Sequence, residues 1–205
     1  MGIRMKVIGI TGGVGAGKTA LLAYMKEHYR CRVILADEVA HQVEEPGQAC
    51  YQELVKLLGN EILNPDGTID KKRMADKIFT GSAILEQVND IVHPAVKEYI
   101  LREIAQSRRE EKVDFLFVEA ALLIEGGYGE ILDELWYIHA REDIRRSRLR
   151  AGRAYSDEKI DRILKEQLSE KEFRRHCGVV IDNSGSLAEA CQQIDKKLGE
   201  YLCQK

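Results

Sequence analysis

Eight consecutive residues, Gly12-Gly13-Val14-Gly15-Ala16-Gly17-Lys18-Thr19, fit the pattern G-x-x-x-x-G-K-[ST] without a gap. Glycines at this density let successive backbone N–H groups turn toward one point and surround phosphate oxygens. The residues that follow read as a helix, whose N-terminus adds partial positive charge. Lys18 supplies a point charge to the β- and γ-phosphates, and the Thr19 hydroxyl is the candidate ligand of Mg²⁺. The nucleotide-binding set is therefore Gly13, Val14, Gly15, Ala16, Gly17, Lys18, Thr19 and Ala20, the last through its backbone N–H. This chemistry specifies a nucleoside triphosphate with magnesium, not yet a reaction.

A nucleotide switch and a kinase both use such a loop. A guanine-reading N-K-x-D is absent from the sequence. The single D-x-x-G match, Asp182-Asn-Ser-Gly185, falls near the C-terminus and is read as coincidence. A kinase needs a group that orients or deprotonates the acceptor hydroxyl. Asp37 is the candidate, just past the second expected strand, at the edge where α/β folds place ligands. The competing reading of Asp37 is a helix N-cap. A kinase also needs cations for the migrating phosphoryl group. Arg141, Arg145, Arg146, Arg148, Arg150 and Arg153 crowd one short stretch. Like charges three or four residues apart on a helix repel, so either an anion lies nearby or the face is simply solvated. A lid that folds one or two of these arginines onto phosphates fits the first case.

These groups need a scaffold. Lys6–Ile10, Val33–Leu35, Phe115–Val118, Leu135–His139 and Val179–Ile181 read as five short strands, several of them continuous apolar runs of the kind buried in parallel sheets. Helices alternate with them over residues 21–29, 37–45 and 50–58, and from Ser156 to about Arg175. A long helical stretch from Asp70 to about Arg109 is expected to break near His93-Pro94. Ser186-Leu-Ala-Glu189 is a capping box opening a last helix with its apolar residues on one stripe. The expected class is α/β, with a five-stranded parallel sheet. Roughly 75 residues of mostly helix between the second and third strands exceed any minimal crossover and point to a helical subdomain.

Composition sets the outer bounds. Lys plus Arg is 31 against 34 Asp plus Glu, a net charge of −3, which disfavours a nucleic-acid coat or a polybasic membrane surface. Five dispersed cysteines without a CxxC pair read as reduced thiols, not as a disulfide framework or zinc site. No apolar run approaches a membrane span, and no secretory signal pattern is expected at the N-terminus. A single domain in the cytoplasm is the resulting expectation.

Taken in order, the motifs resemble the dephospho-coenzyme A kinase family over nearly the whole chain. They run from Ile10-Thr-Gly-Gly-Val-Gly-Ala-Gly-Lys-Thr19 through Leu35-Ala-Asp-Glu-Val-Ala40, Pro46-Gly47, Gly59, Asp66-Gly67 and Ile78-Phe79. His93-Pro94, Leu122-Leu123-Ile124-Glu125, Arg148-Leu149, Arg153, Gln167 and Ile181-Asp-Asn183 complete the series. The chain departs from the family pattern where Ala20 follows Thr19 and where Ala121 stands in place of a proline. The resemblance implies ATP and Mg²⁺ as cofactors, and transfer of the γ-phosphoryl group to the ribose 3′-hydroxyl of dephospho-coenzyme A. It implies a three-layer P-loop kinase fold: core 1–45, 111–140 and 176–205, a helical coenzyme-A-binding subdomain 46–110, and a lid 141–175. Asp37 takes the catalytic aspartate position, Arg153 that of a lid arginine, and Arg148 is the second choice at the phosphates. Thr11, His93, Leu122, Leu123 and Glu125 fall in acceptor-site segments. ATP and dephospho-coenzyme A are the implied partners of a monomer or weak homo-oligomer, with no nucleic acid and no membrane. Two other readings remain: a related kinase acting on a nucleoside or nucleotide, and a regulatory module that hydrolyses ATP slowly.

Overall fold

The computed structural model describes residues 4–79, 81–120, 123–124 and 126–203. Its strands are β1 (Lys6–Thr11), β2 (Cys31–Leu35), β3 (Phe115–Glu119), β4 (Glu134–His139) and β5 (Val179–Asp182). They form one five-stranded sheet in the order β2-β3-β1-β4-β5. β1 runs parallel to both neighbours, with Ile10 opposite Glu119 on β3 and opposite Trp136 on β4. β4 in turn runs parallel to β5, Trp136 opposite Val179. β1 is central because its side chains tolerate burial on both faces: Val7, Ile8, Ile10 and Thr11 are all inaccessible to solvent. At Gly9 a Cβ would lie 2.6 Å from the Leu132 Cδ1 and 2.7 Å from the Leu135 Cδ1, so any larger residue requires both leucine side chains to shift.

The chain divides into two compact units, one made of the residues up to Val33 together with those from Ser107 onward, the other of Ile34–Gln106. The first unit holds α1 (Lys18–His28), α6 (Glu142–Arg153), α7 (Asp157–Lys165), α8 (Glu170–His176) and α9 (Leu187–Leu202). The capping box expected at Ser186 and Glu189 is present, and Ala190, Cys191, Ile194, Leu198 and Tyr201 form the buried stripe of α9. Tyr24 and Tyr29 both donate to Asp195, which ties α1 to α9. The single helix expected from Ser156 to Arg175 is instead two. Ser156 caps α7, the helix stops at Lys165, and Ser169 with Glu172 builds a second capping box that starts α8. The reason is local: Ser169 satisfies the first amides of a new helix better than a continuing one, where a serine competes with the backbone.

The second unit holds α2 (Ala36–Val43), α3 (Ala49–Leu58), α4 (Lys71–Ile78) and most of α5 (Ser82–Glu110). Asn64-Pro-Asp-Gly67 is the turn its composition dictates: Leu63 and Ile69 pair across it, and Asp66 accepts from the Thr68 amide at 3.0 Å. Asp70 then caps α4 by accepting from the Lys72 and Arg73 amides. The expected break at His93-Pro94 does not occur. The interruption falls instead between α4, which ends at Ile78, and α5, which starts at Ser82 and continues through Pro94. An interior proline costs a helix about 3 kcal/mol. Val88, Val96, Ile100 and Ile104 are buried on one stripe on either side of it, and that burial outweighs the loss. Among the described residues no helix is long and apolar enough to cross a membrane, and all five cysteines are free.

Candidate active site

Residues 12–17 leave the carboxyl end of β1 and curl into the N-terminus of α1. Two glycines make the curl sterically feasible. Gly12 (φ 150°) lies against the Ile138 carbonyl so closely that a Cβ would collide with it. Gly17 (φ 90°) is the left-handed residue at the start of α1, and a Cβ there would collide with the Asn183 amide nitrogen. The turn is closed by the Ala16 amide donating to the Gly13 carbonyl at 3.1 Å. No side chain caps α1, and its first turn carries no acidic residue. Its leading N–H groups and dipole therefore face outward for an anion. Thr19 and Ala20 are exposed there, as a metal ligand and a phosphate-facing amide require.

The Lys18 side chain folds back over the loop. Its ammonium donates to the Gly12 carbonyl at 2.7 Å and lies 3.4 Å from the Glu119 carboxylate at the end of β3. Both side chains are largely shielded, at 15% and 18% exposure, so this charge pair lies in a medium of lowered dielectric.

The arginine-rich α6 forms a wall on the loop. Arg148 donates to the Ala16 carbonyl at 3.2 Å and to the Asn183 carbonyl at 2.9 Å. The buried Asn183 closes the ring by donating its own amide to Ala16 at 2.8 Å. Arg145 donates from Nε to the Val14 carbonyl at 2.9 Å and from Nη2 to the Gln167 side-chain oxygen. That same oxygen accepts from the Val14 amide at 3.3 Å. The other arginines point away. Arg141 pairs with Asp143, Arg146 with Glu142 and Asp161, and Arg150 with Asp157. Arg153 is exposed at the end of α6, its guanidinium 5.9 Å from the Tyr155 ring, and makes no bond to the loop among the described residues. Of the two arginines read from the sequence, Arg148 meets the loop and Arg153 does not.

The acceptor-side candidates are distributed differently. Thr11 ends β1 fully buried, with no hydrogen-bond partner for its hydroxyl among the described residues. Leu123 is buried in the core against Gly9. Leu122 and Glu125 lie outside the described residues. In the second unit, Asp37 is exposed in the first turn of α2. The N-cap position there belongs to Leu35, so the alternative reading of Asp37 as a cap does not hold. His93 is exposed on α5. Asp37 takes no hydrogen bond or ion pair among the described residues.

Glu119 was not singled out in the sequence, although a carboxylate ending an otherwise apolar strand run, Phe-Leu-Phe-Val-Glu, is itself a signal. Arg145 was hidden among five other arginines. Gln167 stood among the motif residues without a role, because its contact with Arg145 and Val14 depends on the break between α7 and α8.

The family model described as dephospho-CoA kinase matches residues 6–189. The dephospho-CoA kinase of Oceanobacillus iheyensis is 35% identical over 196 residues, covering 95% of this chain and 97% of that protein. Among solved structures, a Thermus thermophilus protein superposes with a TM-score of 0.79 at 26% identity, over 96% of this chain and 98% of the other. The dephospho-CoA kinase from Campylobacter jejuni gives 0.71 at 21% identity, over 95% and 96%, which bears on the fold alone. The family match takes in the sheet, the glycine loop, the helical unit and the arginine helix together, so the ordering of motifs along the sequence has its explanation: this chain belongs to the dephospho-CoA kinase family.

Proposed function

We propose that this protein transfers the γ-phosphoryl group of ATP to the ribose 3′-hydroxyl of dephospho-coenzyme A, giving coenzyme A and ADP. The observation that carries the reading is the glycine loop, with Lys18 folded over it and the uncapped N-terminus of α1 behind it, in a chain of this family. The loop amides and Lys18 hold the triphosphate. Asp37 orients the 3′-hydroxyl and accepts its proton as the oxygen attacks the γ-phosphorus and the bond to the β-phosphate oxygen breaks. The transition state of such transfers is loose, so positioning and charge stabilisation supply most of the acceleration. Arg148, which meets the loop, and Arg153, carried over from the family's motif although it lies against Tyr155 here, are the cations assigned to the phosphates. Thr11, His93, Leu122, Leu123 and Glu125 belong to the acceptor side, Leu123 as the buried anchor of its loop.

Mg²⁺ fits the residues available. The Thr19 hydroxyl and the Glu119 carboxylate are hard oxygen donors, and among the described residues no larger cluster of ligating side chains exists that would suit a softer ion. When bound, the ion neutralises charge on the β- and γ-phosphates. We place the enzyme in the cytoplasm as a monomer or weak homo-oligomer.

The test is an acceptor screen with ATP and Mg²⁺, comparing dephospho-coenzyme A with nucleosides, nucleoside monophosphates and shikimate-like alcohols. The expected product is coenzyme A, identified by mass and by the phosphate at the 3′ position. Preference for another alcohol, or ATP hydrolysis that no acceptor accelerates, overturns the reading.

A further inference from the structure

Five of the six arginines of this region have an evident occupation. Arg141, Arg146 and Arg150 pair with carboxylates, Arg153 rests against Tyr155, and Arg148 is held between loop carbonyls and Asn183. Arg145 differs. It is partly buried, yet among the described residues no carboxylate lies within ion-pair distance of it. Removing a cation from water without a counter-charge is costly, and burial here pulls its pKa down from the usual arginine value, although a guanidinium stays charged. Its neighbours are loop atoms. The guanidinium lies so close over Gly13 that a Cβ at that position would collide with it. Of its N–H donors, Nε goes to Val14 and Nη2 to Gln167, which leaves Nη1 without a partner among the described residues. Gln167 holds the arrangement from the segment between α7 and α8: one oxygen accepts from both the Arg145 guanidinium and the Val14 amide. An underpaired cation, fixed by a neutral side chain on the surface of a phosphate-binding loop, is suited to an anion that arrives with the substrate.

We propose that Arg145, oriented by the Gln167 carboxamide, is a nucleotide-binding residue of this protein, pairing with the triphosphate on the loop. The inference rests on the reading of residues 12–19 as the ATP site. Gln167 is a positioning residue and acts through Arg145.

Calorimetric titration of the full chain with ATP and with AMP, at fixed salt, tests it. R145M keeps length and removes charge. ATP affinity is expected to fall roughly 10-fold or more, while AMP affinity changes far less. R145K, which keeps the charge and loses the planar fork, should fall between wild type and R145M, and it carries the test if R145M does not fold. Q167M keeps the bulk and removes the acceptor. It should weaken ATP binding severalfold alone and add nothing in R145M/Q167M, because its effect passes through the arginine. Wild-type ATP affinity in R145M, or equal losses for ATP and AMP, overturns the proposal. So does a Q167M effect that persists undiminished in the double variant. K18M separates the two levels. If K18M and R145M both bind ATP normally, the loop reading itself fails; if K18M loses ATP and R145M does not, only the assignment of Arg145 fails.

Discussion

The Lys18 ammonium and the Glu119 carboxylate lie 3.4 Å apart, Lys18 as the first residue of α1 and Glu119 as the last residue of β3. Strand register sets Glu119 opposite Ile10, two residues before the first glycine of the loop, and the Lys18 side chain folds back over the loop to reach it. A triphosphate with its metal competes for both partners. Glu119→Gln keeps size and removes the charge. Turnover is expected to fall roughly 10–100-fold, with the Mg²⁺ concentration for half-maximal rate shifted upward. Steady-state rates across a Mg²⁺ series check this, and an unchanged Mg²⁺ dependence removes Glu119 from the metal's surroundings.

Asp37 is exposed in the first turn of α2 and caps nothing, so its replacement separates chemistry from folding. Asp37→Asn should lower turnover by about 10²-fold or more if the carboxylate accepts the hydroxyl proton. Its cost to stability is confined to a first-turn helix charge, about 0.3–1 kcal/mol. Turnover and the urea midpoint measured on the same preparation decide between the roles. Near-normal turnover, or a rate loss matched by wholesale destabilisation, counts against catalysis.

What the sequence made legible was whatever depends on local pattern. The glycine octapeptide, the five strands, the Asn64–Gly67 turn and the Ser186 capping box each announce themselves within ten residues, and each stands in the structure. Long-range selection was not legible. Six arginines on adjacent turns have the same local signature, and only packing of α6 on the loop distinguishes Arg145 and Arg148 from the rest. Pro94 misled for a related reason: its local cost is real, but the buried stripe that overrides it is a property of the folded unit. Glu119 lay between the two cases, visible as a charged end to an apolar strand yet without meaning until the fold brought the Lys18 side chain to it.

Gly17 tests the backbone half of the loop. It stands at φ 90°, and any Cβ would strike the Asn183 amide, which itself bonds to Ala16. Gly17→Ala therefore combines a left-handed alanine, about 1–2 kcal/mol, with loss of the Asn183 anchor. We expect ATP binding to be abolished within the range of calorimetry while the protein remains folded. The circular dichroism spectrum, together with fluorescence of the single, fully buried Trp136, verifies folding. A variant that binds ATP as well as wild type means that the amides are not the phosphate site.

Alkaline pH probes the α1–α9 junction. Tyr24 and Tyr29 donate to Asp195 at 2.8 Å and 2.6 Å. For Tyr24 the hydrogen bond to Asp195 is the main cause that pushes its pKa up to about 12. Tyr29 is pushed up further, first by burial and then by the same bond. Unfolded phenols ionise near 10. Between about pH 10 and 12 the unfolded chain therefore releases protons that the folded chain retains, and stability falls as pH rises; below about pH 10 the contribution is constant. Asp195→Ala should cost about 1–3 kcal/mol at pH 7, since two phenols lose their acceptor. It should also flatten the alkaline decline, most through Tyr24, whereas burial keeps part of the Tyr29 contribution. Tyr201 and Cys31, also raised, contribute equally to both proteins, so the difference in slope reports the groups that Asp195 holds up, the two phenols together with the Cys191 thiol, which is raised first by burial and then by Asp195. Urea midpoints followed by Trp136 fluorescence from pH 7 to 11.5 measure it. Parallel wild-type and variant curves would show that the two phenols are held up by burial alone, and that the Asp195 carboxylate joins the helices without governing their ionisation.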